Sequence, residues 1–328
     1  MRSISNGVLN SYDTIKTIRP GVTCRKIVYL EENGMKIGIG TYSFGGIESF
    51  LGLGPTLLEK FRTIKSLGYD FVELLPADLE NDTEDLKKWL NETGLTVSSI
   101  HAEPTEAIVK KMAEIGGQAV IWAGSPFNST EEAVELAHQL DEMAEMAAPY
   151  GIKVGYHNHS SEFYVDQGKP ILETVIENSS KCFFQLDCGW AMNAGTYPPS
   201  FIRRYKNRFV AIHVKENSRV QGPGPKPASR HEERGPHPFA NVKELPLEER
   251  MKILENMKKG MESPEGKKRF EVQCKLGAPE SNIDWQEIKN ALDEQDFEAF
   301  WVVEREGFYD EHDKCLAEDC AWLKEHIR

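Results

Sequence analysis

The sequence predicts an α/β chain whose eight parallel strands close into a (β/α)8 barrel, and three observations carry that expectation. From Met35 onward, short apolar runs alternate with longer amphipathic segments, the pattern of strands buried on both faces and linked by helices. Eight such units spread over about 290 residues, the size of a closed barrel. An open doubly wound sheet would need a G-x-G-x-x-G phosphate loop after its first strand, and Gly40-Thr-Tyr-Ser-Phe-Gly-Gly46 does not fit it.

Each unit has its own signals. Met35-Lys-Ile-Gly-Ile-Gly40 is the first strand; residues 1–34 before it are polar and mixed and read as an N-terminal extension, strand-like at 26–30. Leu57, Leu58, Phe61 and Ile64 recur at helical spacing over 56–67, and Gly68 stops that helix. The second strand, 71–75, ends in Pro76, after which Asp82 caps a helix that Gly94 closes. The third strand, 97–100, runs straight into His101; a helix over 105–115 and a fourth strand at 119–122 follow. Asn128-Ser-Thr-Glu-Glu opens the longest helix, through 148, and Gly151 turns the chain into strand five, 153–156. Helix 170–177 leads to strand six, 182–186, and helix 199–205 to strand seven, 209–213.

The alternation then breaks. Residues 218–245 are rich in Gly, Pro, His and charge and read as an irregular loop. A charged amphipathic helix over 247–261 and an extended piece at 269–274 complete an insertion, 218–282, which is a lid, a subunit contact or a solvated excursion over the barrel mouth. His231 and His237 within it read as solvated. Asp284 caps the next helix, strand eight spans 299–303, and a last helix runs over 313–326, so one barrel domain covers 35–328.

Composition narrows the partners. The 328 residues carry a net charge of −13, which argues against a nucleic-acid backbone, whose neutralisation needs clustered Lys and Arg. The cysteines are scattered without a CxxC pair and read as reduced thiols. No apolar run reaches the roughly 18 residues of a membrane span, and the N-terminus lacks a signal-peptide core. A cytoplasmic protein is expected.

Active-site groups of such a barrel lie where strands end and βα loops begin. The polar residues there are Glu73, His101, the group His157, His159 and Glu162, then Asp187, His213 with Lys215, and Glu304 with Arg305. Each has a plainer reading. Glu73 lines a pocket or pairs with a basic residue, and His101 is a pocket group or an ordinary loop start. Asp187, His213 and Glu304 come as a set, each terminating an apolar strand. They are either N/O ligands for a divalent ion such as Mn²⁺, Mg²⁺, Co²⁺ or Zn²⁺, or a hydrogen-bond network that stiffens the mouth. Lys215 holds a substrate oxygen, or pairs with Glu216 or Asp187.

At these residues the chain resembles the sugar phosphate isomerase/epimerase superfamily of xylose isomerase-like TIM barrels. Gly155-Tyr-His-Asn-His-Ser-Ser-Glu-Phe163 is similar to the HNHxxEF segment of one branch. Leu186-Asp-Cys-Gly-Trp190, Ile212-His-Val-Lys-Glu216, Ile283-Asp-Trp285 and Val302-Val-Glu-Arg305 resemble its later motifs in order. The resemblance implies a divalent ion held from strands five to eight, here His157, Asp187, His213 and Glu304. Strand five departs from the pattern: where relatives read Glu-Asn-His, this chain reads His157-Asn158-His159. Glu162 is the carboxylate that would reach back in compensation.

The expected activity is that of a metal-dependent sugar isomerase or epimerase acting on a keto-sugar through an enediolate. Glu304, Glu162, His159 and Lys215 are its candidate catalytic groups, and Glu73, His101, Trp190 and Arg305 its candidate substrate-binding residues. Because an imidazole in place of the strand-five carboxylate equally suits β-elimination, a lyase acting on a keto-inositol or keto-glycoside is the second reading. A non-catalytic sugar-binding barrel is the third. The partner is a small carbohydrate, without nucleic acid or membrane, and the superfamily's habit of forming dimers and tetramers implies a homo-oligomer by analogy.

Overall fold

The computed structural model describes residues 35–232, 242–270 and 273–327; the strand-like stretch at 26–30 and His237 lie outside them. The barrel strands are β1 (Gly38–Gly40), β2 (Phe71–Leu74), β3 (Thr96–His101), β4 (Ala119–Ala123), β5 (Lys153–His157), β6 (Phe183–Asp187), β7 (Phe209–Val214) and β8 (Phe300–Val303). All pairings among them are parallel, and they close in chain order, with β8 returning to β1. The predicted (β/α)8 barrel is therefore the fold.

Strand alternation decides what fills the barrel. At the floor, Gly38 leaves room for the Phe71 ring, whose carbons would lie 2.0 Å from a Cβ at that position. Phe71 in turn meets Phe300 edge-on at 5.3 Å between centroids. Ile121, packed with Ala119 and Ala211, uses the space that Gly155 leaves open. The floor is thus sealed by apolar side chains, and polar groups are confined to the other end. Register sets them level there, with Asp187 opposite His213 and His157 opposite Gln185.

The surrounding helices start close to where the sequence places them, at Asp82 and Asp284 on the expected caps. Thr56 and Glu59 form a capping box, while Asp82, Thr105, Ser129 and Asp284 each accept a backbone N–H of the following turn. Gly94 and Gly151 take the left-handed conformation, with φ of 66° and 72°, that closes their helices. One expectation is overturned. Arg269 and Phe270 are not extended but end a helix, Pro264–Phe270. The signal was Ser263-Pro-Glu: the Ser263 hydroxyl accepts the Gly266 N–H at 3.0 Å, and proline suits a first helical position. A second unpredicted helix, Cys188–Asn193, is capped by Asp187.

Within the insertion, 218–232 is irregular and Leu247–Glu262 is a helix with no buried residue. No helix of the described residues is long and apolar enough to cross a membrane. The five described cysteines are free thiols.

Candidate active site

The strand ends place most, though not all, of the expected residues in one cluster at the mouth of the barrel. From β6, Asp187 spends one oxygen on capping, its Oδ1 accepting the Trp190 N–H at 2.7 Å. Its Oδ2 lies 3.7 Å from both His213 Nδ1 and Lys215 Nζ. From β7, His213 points the same way, and its Nδ1 is 3.2 Å from Glu304 Oε2 beyond β8. Lys215, two residues on and so on the same face, donates to Glu304 Oε1 at 2.9 Å and sits 3.4 Å from Glu306. It also lies over the Trp190 ring at 4.7 Å, a close approach that Gly189 permits, since a Cβ there would meet Lys215 atoms at 2.6–2.9 Å.

Two atoms in this cluster stand out. Asp187 Oδ2 and His213 Nδ1 are fully buried, yet among the described residues neither makes a hydrogen bond. Buried polar atoms are nearly always paired, and leaving one unpaired costs about 1–3 kcal/mol. Two such atoms converging with a carboxylate at the end of a barrel are what a divalent cation would satisfy. His157, at 2 % exposure, completes that side of the cluster, its ring centroid 4.7 Å from that of His213. Among the described residues, two groups bring donor atoms within 4.8 Å of one another: His101, His157 and His213, and Glu73, His213 and Glu304. The donor chemistry fits a divalent ion held by the expected four, while Glu73 and His101 are engaged with His213 and Gln185.

Electrostatics divide the cluster by role. Burial, and then the neighbouring imidazoles His213, His101 and His159, push His157 well below the usual histidine range, so its ring is neutral. For His213 burial acts in the same direction, but the carboxylates of Glu73 and Glu304 override it and hold its pKa well above the usual range. Burial alone would raise Glu304; Lys215 and His213 instead keep it ionised, well below the normal carboxyl range. Burial likewise disfavours the Lys215 ammonium, but Glu304, Glu306 and Asp187 hold it charged.

Several expected residues fall elsewhere. Glu73 lies one layer below the mouth, only 3 % exposed. It accepts from His213 Nε2 at 2.7 Å, from Ser99 at 2.6 Å and from Gln185 at 2.6 Å. Burial would raise its carboxyl, but the His101 and His213 imidazoles bring it down to about 2. His101 joins the same layer through Gln185 Oε1 at 2.7 Å. Glu162 does not reach back to the cluster: its oxygens take the Tyr156 hydroxyl, the Ser161 hydroxyl and the His159 N–H, bracing the loop after β5. Arg305 is a correction. Next to the inward-facing Glu304, it faces outward, buried against Asp319 and donating to Cys274 O at 3.1 Å. Glu216 likewise faces away from Lys215 and accepts from Trp285 Nε1 at 3.0 Å and Ser281 Oγ at 2.6 Å. His231 is exposed and pairs with Glu135.

His159 and Trp190, with ring centroids 6.3 Å apart, open the cluster into a cavity of about 660 Å³ that Asn193, Gln221 and Lys268 also line. Sequence reasoning missed Ser99, Gln185 and Glu306. A period of two would have found the first two, because each sits two residues before a strand-end candidate, His101 or Asp187. Glu306 lies past the strand, where no period applies.

The xylose isomerase-like TIM barrel family profile matches residues 61–326. A search of curated proteins finds no match. Among solved structures, a sugar phosphate isomerase/epimerase from Parabacteroides distasonis superposes with a TM-score of 0.62 at 19% identity, covering 93% of this chain and 99% of its own. The probable 3-DHS dehydratase involved in petrobactin synthesis from Bacillus anthracis gives 0.59 at 13% identity, covering 89% and 100%. The 3-keto-D-glucoside 4-epimerase from E. coli gives 0.57 at 17% identity, covering 88% and 98%. At these identities the structural likeness speaks to the fold, and the profile match to the lineage: the chain belongs to the xylose isomerase-like TIM barrel family.

Proposed function

We propose that the protein is a divalent-metal-dependent isomerase or epimerase that moves a proton next to the carbonyl of a keto-sugar. The observation that carries this reading is the convergence with Glu304 at the barrel mouth of Asp187 Oδ2 and His213 Nδ1, both buried and without a hydrogen bond among the described residues. His157, Asp187, His213 and Glu304 would hold the ion. When bound, it polarises the substrate carbonyl and stabilises negative charge on the adjoining oxygen.

The remaining work falls to side chains. Glu304, ionised beside Lys215, accepts the proton from the carbon next to the carbonyl at a carboxylate oxygen. The Lys215 ammonium donates to a substrate oxygen and keeps Glu304 charged until it takes up that proton. Trp190, with one face under Lys215, offers the sugar ring an apolar platform. His159 stands at the cavity wall, where Glu162 outweighs burial and raises its pKa, suiting it to return a proton near neutral pH.

One observation favours a second reading. No carboxylate from β5 enters the cluster, since Glu162 is occupied by Tyr156, Ser161 and the His159 backbone. An acid and base of unlike chemistry suit β-elimination, in which His159 assists a departing hydroxyl or glycosyl oxygen. Elemental analysis of the purified protein tests the ion: metal should be present in the wild type and lost in Asp187→Ala and His213→Ala, and equal content in all three would sink the site. Incubation with keto-sugars in D₂O then separates the chemistries. Deuterium in recovered or epimeric sugar supports isomerisation or epimerisation, loss of water or an aglycone supports the lyase, and no exchange on a broad panel leaves a sugar-binding barrel.

A further inference from the structure

We propose that Glu73 and Gln185 are positioning residues that select the tautomer of His157, and thereby decide which nitrogen it offers to an ion at the barrel mouth. The inference rests on the metal reading above and deepens it, and it follows from hydrogen-bond inventory alone. An ionised carboxylate only accepts. Glu73 Oε2 is 2.6 Å from the Gln185 carboxamide. An amide oxygen there would set two acceptors against each other, so the NH₂ group must face Glu73. The Gln185 carbonyl oxygen is thereby turned to the histidines, 3.0 Å from His157 Nδ1 and 2.7 Å from His101 Nε2. A carbonyl oxygen also only accepts, so both ring nitrogens carry hydrogen.

A neutral imidazole has one N–H. A neutral His157 is then left with its lone pair on Nε2. The same carboxylate acts directly on His213, taking its Nε2–H at 2.7 Å and leaving Nδ1, the atom without a hydrogen bond, toward Asp187 and Glu304. Glu73 is itself held by the Ser99 hydroxyl at 2.6 Å. Glu73, Ser99, Gln185, His157 and His213 are all at most 3 % exposed, so solvent does not compete for their protons. Metal-ligating histidines are oriented by such partners, and removing one typically costs 10–100-fold in metal affinity. Here a single carboxylate one layer down serves three rings directly or through an amide. It also explains how an imidazole can stand where the resemblance expects a charged ligand.

The first test needs no metal. In metal-free protein labelled with ¹⁵N-histidine, long-range ¹H–¹⁵N correlation above pH 7.5 should show the His157 ring as Nδ1–H, its signals assigned by their loss in His157→Asn. An Nε2–H ring overturns the proposal. The second compares cobalt(II) affinity, measured by chelator competition, in the wild type, Glu73→Gln and Gln185→Leu. Both variants should bind about 10–100-fold more weakly, with an unchanged circular dichroism spectrum. Wild-type affinity in both variants overturns the relay while the metal reading stands. A wild type that takes up no cobalt overturns the metal reading, and with it the relay's role in ion binding.

Discussion

Adjacent residues of one strand end open onto two very different sets of buried charge. Glu304 faces into the barrel mouth and Arg305 faces the helix layer behind it. In the outer set every charge is closed on a partner: Arg305 holds Asp319 and Cys274 O and lies over the Tyr309 ring at 4.9 Å. Glu216 is closed on Trp285 and Ser281 in the same layer. In the inner set Asp187 Oδ2 and His213 Nδ1 have no hydrogen bond among the described residues. Burial of charge is common to both and so does not mark a functional site. The convergence of two such atoms at the barrel mouth does, because desolvated polar groups left without hydrogen bonds bear a cost that a bound group would relieve.

The contrast can be broken by substitution, with the largest effect expected in the closed set. Arg305→Met strands the Asp319 carboxylate in the protein interior and should lower stability by about 3–5 kcal/mol in urea unfolding, with metal content unchanged. Adding Asp319→Leu should restore much of the loss, because no unpaired charge remains. Next comes Glu216→Ala, which leaves Trp285 Nε1 without its acceptor and should cost about 2 kcal/mol by the same measurement.

A half-buried member of the closed kind gives a pH signature. Asp141 accepts the N–H groups of Lys181 and Cys182 at 2.8 and 3.0 Å and that of Ser180 at 2.7 Å. Burial opposes its ionisation, but these donors win and lower its pKa. Its contribution is therefore present above the unfolded-state carboxyl pKa and lost as pH falls through the folded-state value. Asp141→Asn should cost about 1 kcal/mol at pH 7, and the gap to wild type should shrink below about pH 4. The smallest stability change belongs to the open set. Asp187→Asn keeps an oxygen to cap Trp190 N and gives up only the long 3.7 Å pairs with His213 and Lys215, so the metal-free protein should change by less than about 1 kcal/mol while losing its ion. A large destabilisation there would show Asp187 to be structural and would erase the contrast.

The sequence alone determined the barrel. Eight apolar runs, the caps at Asp82 and Asp284, and the stops at Gly94 and Gly151 are local signals, and local signals survive without tertiary context. It also placed Asp187, His213 and Glu304 at strand ends. What only the tertiary structure decided is which neighbour each polar side chain finds. Glu304 and Arg305 are equally polar and equally terminal, yet β8 sends one inward and the other to Asp319, fourteen positions along the chain. Glu73 meets Gln185 across 112 positions and His213 across 140. Nothing local encodes those distances. Strand order and register bring β2, β3, β5, β6 and β7 to one level inside a closed ring, and that closure turns scattered acids and histidines into a single network.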